Sequence, residues 1–145
     1  MRTLRDCRGG AAVEFAIILP LLIFLVAGII EFGFALYDKA VLTNASREGA
    51  RTGIVFRIDP STGERNPITV YEIQERVERY LQGNPLISPG GVSIPALDVP
   101  ETCVDSGDEI SVKVSYPYKF LILPEFTKKI PGGITMGAKT VMRCE

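Results

Sequence analysis

The chain has 145 residues, 46% hydrophobic and 23% charged, with a formal net charge of −1. That length suits one domain, and so small a charge provides no basic field to hold nucleic acid. There is no histidine, which removes the commonest general base and the commonest metal ligand.

Residues 1–9 form a basic leader carrying Arg2, Arg5 and Arg8. The apolar run behind it is too long for the core of a secretory signal, and no small-x-small cleavage site closes it. From Phe15 to Ile30, sixteen residues pass without a charge, and only Pro20 and Gly28 interrupt the large side chains. Ala11 to Ile30 would span about 30 Å as a helix, the thickness of a bilayer's hydrocarbon. A backbone in lipid must satisfy its own hydrogen bonds, so the segment is expected to be a transmembrane helix. Glu14 lies at its first edge, just after Gly9-Gly10, where an unpaired carboxylate is costly and therefore a functional candidate. Basic residues flank the run on both sides, and the balance leans towards the N-terminus inside.

The helical pattern continues beyond Ile30, and no proline occurs between Pro20 and Pro60. One helix is expected from about Ala12 to Phe56, within a segment bounded at residues 10–57. Its second half is amphipathic. Ala45, Gly49 and Gly53 recur every four residues and make a small-residue stripe that lets another element approach closely. Glu48 and Arg51 are spaced for a surface ion pair.

Residues 58–145 are expected to form a small α+β domain. Ile58 to Asn66 reads as a loop from its Asp-Pro and Thr-Gly steps. A short helix follows, opened by a capping box at Thr69 and Glu72 and ended by Gly83 and Pro85. Val70, Ile73, Val77, Tyr80 and Leu81 give it one apolar face. Beyond Gly90 the period changes to two. Val92 and Ile94 suggest a strand weakened by Pro95, whereas Ile110, Val112, Val114 and Tyr116 make a clear half-buried one. Ile134 to Cys144 alternates similarly. Between these strands, Phe120 to Phe126 is too apolar for a solvated loop; a flap over the sheet is expected, with a binding surface as the alternative. The fold class is α+β, a long helix and a short one packed on a small antiparallel sheet.

Chemistry is sparse. No GxSxG, HExxH or Walker sequence occurs, and the pairs Gly90-Gly91 and Gly132-Gly133 read as turns. Asp105, Asp108 and Glu109 could hold calcium, but turn chemistry around Gly107 explains them as well. No catalytic residue, cofactor or metal is assigned, and assembly is expected in place of enzymatic activity. Cys7 lies before the apolar run, whereas Cys103 and Cys144 lie beyond it and share one compartment. That pair suits a disulfide on an oxidising side, against the alternative of two unrelated buried thiols.

The stretch RGGAAVEFAIILPLLIFLVAGIIEFG resembles the N-terminus of TadE-like pseudopilins of tight-adherence (Tad/Flp) pili, a branch of the type IV pilus machinery. The resemblance extends through ASREGAR at Ala45 to Arg51 and, more loosely, to the closing strand; TadF proteins are similar at the N-terminus. It implies cleavage by a prepilin peptidase after a glycine, with a glutamate at the fifth mature position. A cut after Gly9 makes Glu14 fifth and Phe15 sixth; a cut after Gly10 makes Glu14 fourth. It also implies other pilin and pseudopilin subunits and the inner-membrane Tad assembly platform as partners, besides the lipid bilayer. The protein would be a single-pass bacterial inner-membrane subunit with a cytoplasmic N-terminus and a periplasmic C-terminal domain, able to enter an extracellular pilus. The alternative is an uncleaved single-pass adaptor or sensor that does not polymerise.

Overall fold

The computed structural model describes residues 8–88, 96–99, 102–122 and 134–144. The leader before Arg8 with Cys7, the expected strand at Val92 and Ile94, both glycine-pair turns, and residues 123–133 lie outside the described residues.

Helix α1, Arg8–Gly53, is 46 residues long and runs unbroken through Pro20. At 1.5 Å per residue it extends about 69 Å, far more than a bilayer core needs. It ends three residues before the expected Phe56. Ile54, Val55 and Phe56 are β-branched or aromatic, and Phe56 already belongs to a strand.

Residues expected as a loop prove to be a small hairpin. Strand β1, Phe56–Ile58, pairs antiparallel with β2, Arg65–Pro67, in the register Phe56↔Pro67 and Ile58↔Arg65. The Ser61 hydroxyl and, at 2.8 Å, the Ser61 backbone N–H donate to the Asp59 carboxylate and hold that carboxyl below its usual range. Gly63 takes a φ of 73°, where glycine carries no steric cost. Across the hairpin the Arg65 guanidinium lies 4.7 Å from the Phe56 ring centre.

Helix α2, Val70–Gly83, begins at the capping box. The Thr69 N–H donates to Glu72 Oε2 at 3.0 Å, and the Glu72 N–H donates to the Thr69 hydroxyl. Ile73 and Val77 are buried, but Val70 is exposed, so the apolar face is narrower than the pattern suggested.

The three-stranded antiparallel sheet has the order β3-β4-β5, from Ala96–Asp98, Glu109–Tyr118 and Ile134–Arg143. In β4, alternate residues Ile110, Val112, Val114, Tyr116 and Tyr118 are buried. The first four share one core with Leu42, Ala45 and Ala50 of α1 and with Ile73 and Val77 of α2. The C-terminal part of α1 is thus structurally inside the small domain. Ser46 reinforces this by meeting the Thr140 hydroxyl of β5 at 2.7 Å, and Lys39 donates to the Gly137 carbonyl. The architecture is α+β, with a long apolar helix, a second helix and two small antiparallel sheets.

Candidate functional site

The two halves of α1 differ in one physical respect. Every residue from Gly9 to Val26 is exposed, although this is the most apolar part of the chain. The helix is long and apolar enough to cross a membrane, and none of its most apolar stretch is buried. So much uncovered apolar surface needs a partner other than water. Gly9, Gly10, Glu14 and Phe15 all lie on this uncovered half. A side chain at Gly9 or Gly10 would meet none of the described residues within 4 Å, so these leave both accessible. Glu14 makes no hydrogen bond or ion pair with other described residues.

The second half is a docking face. A Cβ on Gly49 would lie 2.7 Å from Val77 Cγ2 and 3.2 Å from Val112 Cγ1. One on Gly53 would collide with Ile110 and approach Ile73 Cδ1 to 2.9 Å. With Ala45 fully buried, the stripe Ala45, Gly49 and Gly53 is where α2 and β4 reach the helix backbone. This stripe is therefore occupied within the chain and is not an open face for another subunit. Glu48 does not pair with Arg51 as its spacing suggested. Its Oε1 instead accepts from Arg76 Nε at 2.8 Å and Nη2 at 2.6 Å, because Arg76 of α2 comes within reach across the helix pair.

Two carboxylates on this face were not singled out by the sequence reading. Glu31 is 3% exposed and Asp38 fully buried. They are seven residues apart, two helical turns on one side. Glu31 Oε1 accepts from the Tyr118 hydroxyl at 2.8 Å, and the Leu121 and Ile122 N–H groups donate to its carboxylate at 3.0 and 2.7 Å. Burial, then the neighbouring Glu31 carboxylate, raises the Tyr118 phenol well above its ordinary value. Asp38 accepts from the Ile87 and Ser88 N–H groups at 2.8 and 3.0 Å. Ser88 in turn bonds both the N–H and the carbonyl of Lys119, and the Tyr116 hydroxyl donates to the Ser88 carbonyl. Their phase with Ala45, a further seven residues on, was the signal that could have found them. In the described part of the expected flap, Leu121 and Ile122 reach α1 at Glu31, whose carboxylate takes their N–H groups.

At the far end of the sheet, Cys103 and Cys144 are joined by a disulfide, with their Cα atoms 5.9 Å apart. Beside it, the Gly107 N–H donates to the Cys144 carbonyl and the Cys144 N–H to the Asp108 carbonyl. The Asp108 carboxylate accepts from the Asp105 N–H at 2.9 Å, and Gly107 adopts a φ of 102°. The acidic cluster is thus built as a turn; no group of three potential metal ligands occurs among the described residues.

The family model of TadE-like protein matches residues 9–51, which takes in the exposed half of α1, Glu14 and most of the docking face. Over those residues, less than half of the chain, the protein is similar to the TadE-like family. No curated protein and no solved structure matches the chain. The TadE-like segment supports a part in Tad pilus systems, and its single apolar helix fits a membrane-anchored protein.

Proposed function

We propose that this TadE-like chain is a minor pilin-like subunit of a Tad pilus, cut by a prepilin peptidase and built to place its helix beside those of other subunits. One observation carries the reading. Glu14 sits on the uncovered apolar half of α1 and engages none of the other described residues, whereas Glu31 and Asp38 on the same helix are held by their own chain. A charge in that setting is retained for an intermolecular purpose. Cleavage after Gly9 or Gly10 would create a free α-amino group a turn away from Glu14. In a bundle, the amino group of one copy can meet the carboxylate of the next. Such a pair sets register more than it adds stability, because leaving either charge unpaired in low dielectric is costly. Partners on this reading are the peptidase, other pilin-like subunits and the inner-membrane assembly platform. The leader would face the cytoplasm, with the small domain and its disulfide in the periplasm. The role is structural, without catalysis.

Mass spectrometry of the membrane-extracted protein tests the reading. A chain beginning at Gly10 or Ala11 supports it; an intact Met1 start favours an uncleaved adaptor or sensor. Gly9→Trp should leave the precursor uncut if the cut follows Gly9. Glu14→Ala and Glu14→Gln should lose co-purification with other pilin-like subunits while keeping normal membrane levels, and Glu14→Asp should show a partial defect.

A further inference from the structure

The segment after β4 is unusual in where its polar and apolar atoms go. Leu121 and Ile122 are 42% and 41% exposed, and Phe120 stacks edge-on against Tyr118 with ring centres 5.4 Å apart. Several of their backbone groups, with those of Lys119, are taken up by the protein. Ser88 takes the Lys119 N–H and donates to the Lys119 carbonyl, both at 2.8 Å, while Glu31 takes the N–H groups of Leu121 and Ile122. Matching these N–H groups within the protein lowers the cost of bringing an irregular segment to the edge of the hydrocarbon, where unmatched ones are penalised.

Its position agrees. Ile122 joins Leu22, Ile23, Val26, Ala27 and Ile30 in lining a purely apolar groove of about 360 Å³ on the flank of the helix. Those helix residues belong to the stretch suited to cross the membrane. Val26 lies four residues, or about 6 Å, inside Ile30, the last residue of the uncharged run. That matches the depth of about 5–10 Å to which interfacial segments sink their apolar groups. Lys119 is exposed beside them, as a residue that snorkels towards headgroups would be.

We propose that Phe120, Leu121 and Ile122 form a second membrane contact, sunk into the lipid leaflet at the C-terminal end of the span and beside the helix. The occupant of the groove is then acyl chain, continuous with the lipid around α1. The contact fixes the small domain against the membrane surface and limits rotation of the whole chain about the axis of α1. It rests on the membrane anchoring of α1 and is independent of cleavage or pilus entry.

The chain contains no tryptophan, so a single introduced one reports on its own site. Full-length Ile122→Trp, reconstituted in vesicles of phosphatidylcholine brominated near the glycerol end of the acyl chains, should emit at shorter wavelength and lose most of its intensity. Leu121→Trp serves equally should Ile122→Trp fail to fold. Tyr71→Trp, on the exposed side of α2, should keep its intensity, and Leu25→Trp, within the span, should be quenched. Loss of quenching at residue 122 with Leu25→Trp still quenched overturns this proposal alone. Absence of quenching at both overturns the anchoring as well. A blue shift at residue 122 without bromine quenching would mean that a protein surface, such as a second copy, fills the groove, and it too overturns the proposal.

Discussion

Gly49→Ala sets helix propensity against packing, and the structure predicts which wins. In an exposed helix interior the change would stabilise by about 1 kcal/mol. At Gly49 the added methyl would lie 2.7 Å from Val77 Cγ2 and 3.2 Å from Val112 Cγ1. Both valines are buried, at 2% and 0% exposure, and both are β-branched with few rotamers to retreat into. Overpacking of this kind costs roughly 1–3 kcal/mol. Since the first contact is well inside van der Waals distance, a cost near 2 kcal/mol is expected, leaving a net destabilisation of about 1 kcal/mol. For a domain of this size that lowers the melting temperature by roughly 4–8 °C. The measurement is thermal unfolding of the full chain in detergent, followed by near-ultraviolet circular dichroism of the buried tyrosines. Adding Val77→Ala should make Gly49→Ala favourable in that background, because the crowded atom is gone. Stabilisation by Gly49→Ala alone would refute the close approach of α2 to the helix.

Replacing both disulfide cysteines by alanine should cost about 4 kcal/mol from the released loop-closure entropy, for a sequence separation of 41 residues. Denaturant midpoints of wild type and variant, with and without reductant, check this; an unchanged midpoint in the variant would dismiss the bridge as a stabiliser. The Glu72 carboxyl is held below its ordinary value of 4.5, first by the Thr69 N–H and next by Arg57. A depressed folded-state value means stability is present above the unfolded value and is lost as pH falls through the folded one. Glu72→Gln should therefore flatten the fall in stability below about pH 4.5, and an acid limb identical to wild type would contradict the capping box.

Most of the fold could be read before the structure because it rests on local signals. The uncharged run, the Thr69 and Glu72 box and the period-two pattern of β4 each depend on neighbours in sequence. What could not be read depends on partners far along the chain. Glu48 has an acceptable local partner in Arg51, and only the packing of α2 shows that Arg76 takes it. The hairpin strands Phe56–Ile58 and Arg65–Pro67 are three residues each, too short to display a period. The uncovered half of α1, on which Gly9, Gly10, Glu14 and Phe15 lie, was legible because an uncovered helix needs no tertiary information. The use of Glu31 required knowing that residues 118–122 return to it.

Three of the four carboxylates of α1, Glu14, Glu31 and Asp38, provide the sharpest separation between fold and assembly. From sequence alone, Glu14, Glu31 and Asp38 are alike: acidic residues on or beside an apolar helical face. Asp38 is fully buried and takes two N–H groups, from Ile87 and the buried Ser88. Asp38→Ala strands both donors, each costing about 1–3 kcal/mol where water cannot replace the acceptor. Removing a buried charge recovers part of its desolvation, so a net loss of about 2–4 kcal/mol is expected. Glu31→Ala should cost less. The segment it holds is exposed, and water or headgroups can meet the freed Leu121 and Ile122 N–H groups. Glu14→Ala should leave stability unchanged, since none of the described residues engages it. Thermal melts of the three variants in detergent, followed by co-purification with other pilin-like subunits, distinguish the roles. The expected order of destabilisation is Asp38, Glu31, then Glu14, with Glu14→Ala alone losing association at wild-type stability. A Glu14→Ala chain that melts early would place that carboxylate in the fold and remove the argument for an intermolecular role.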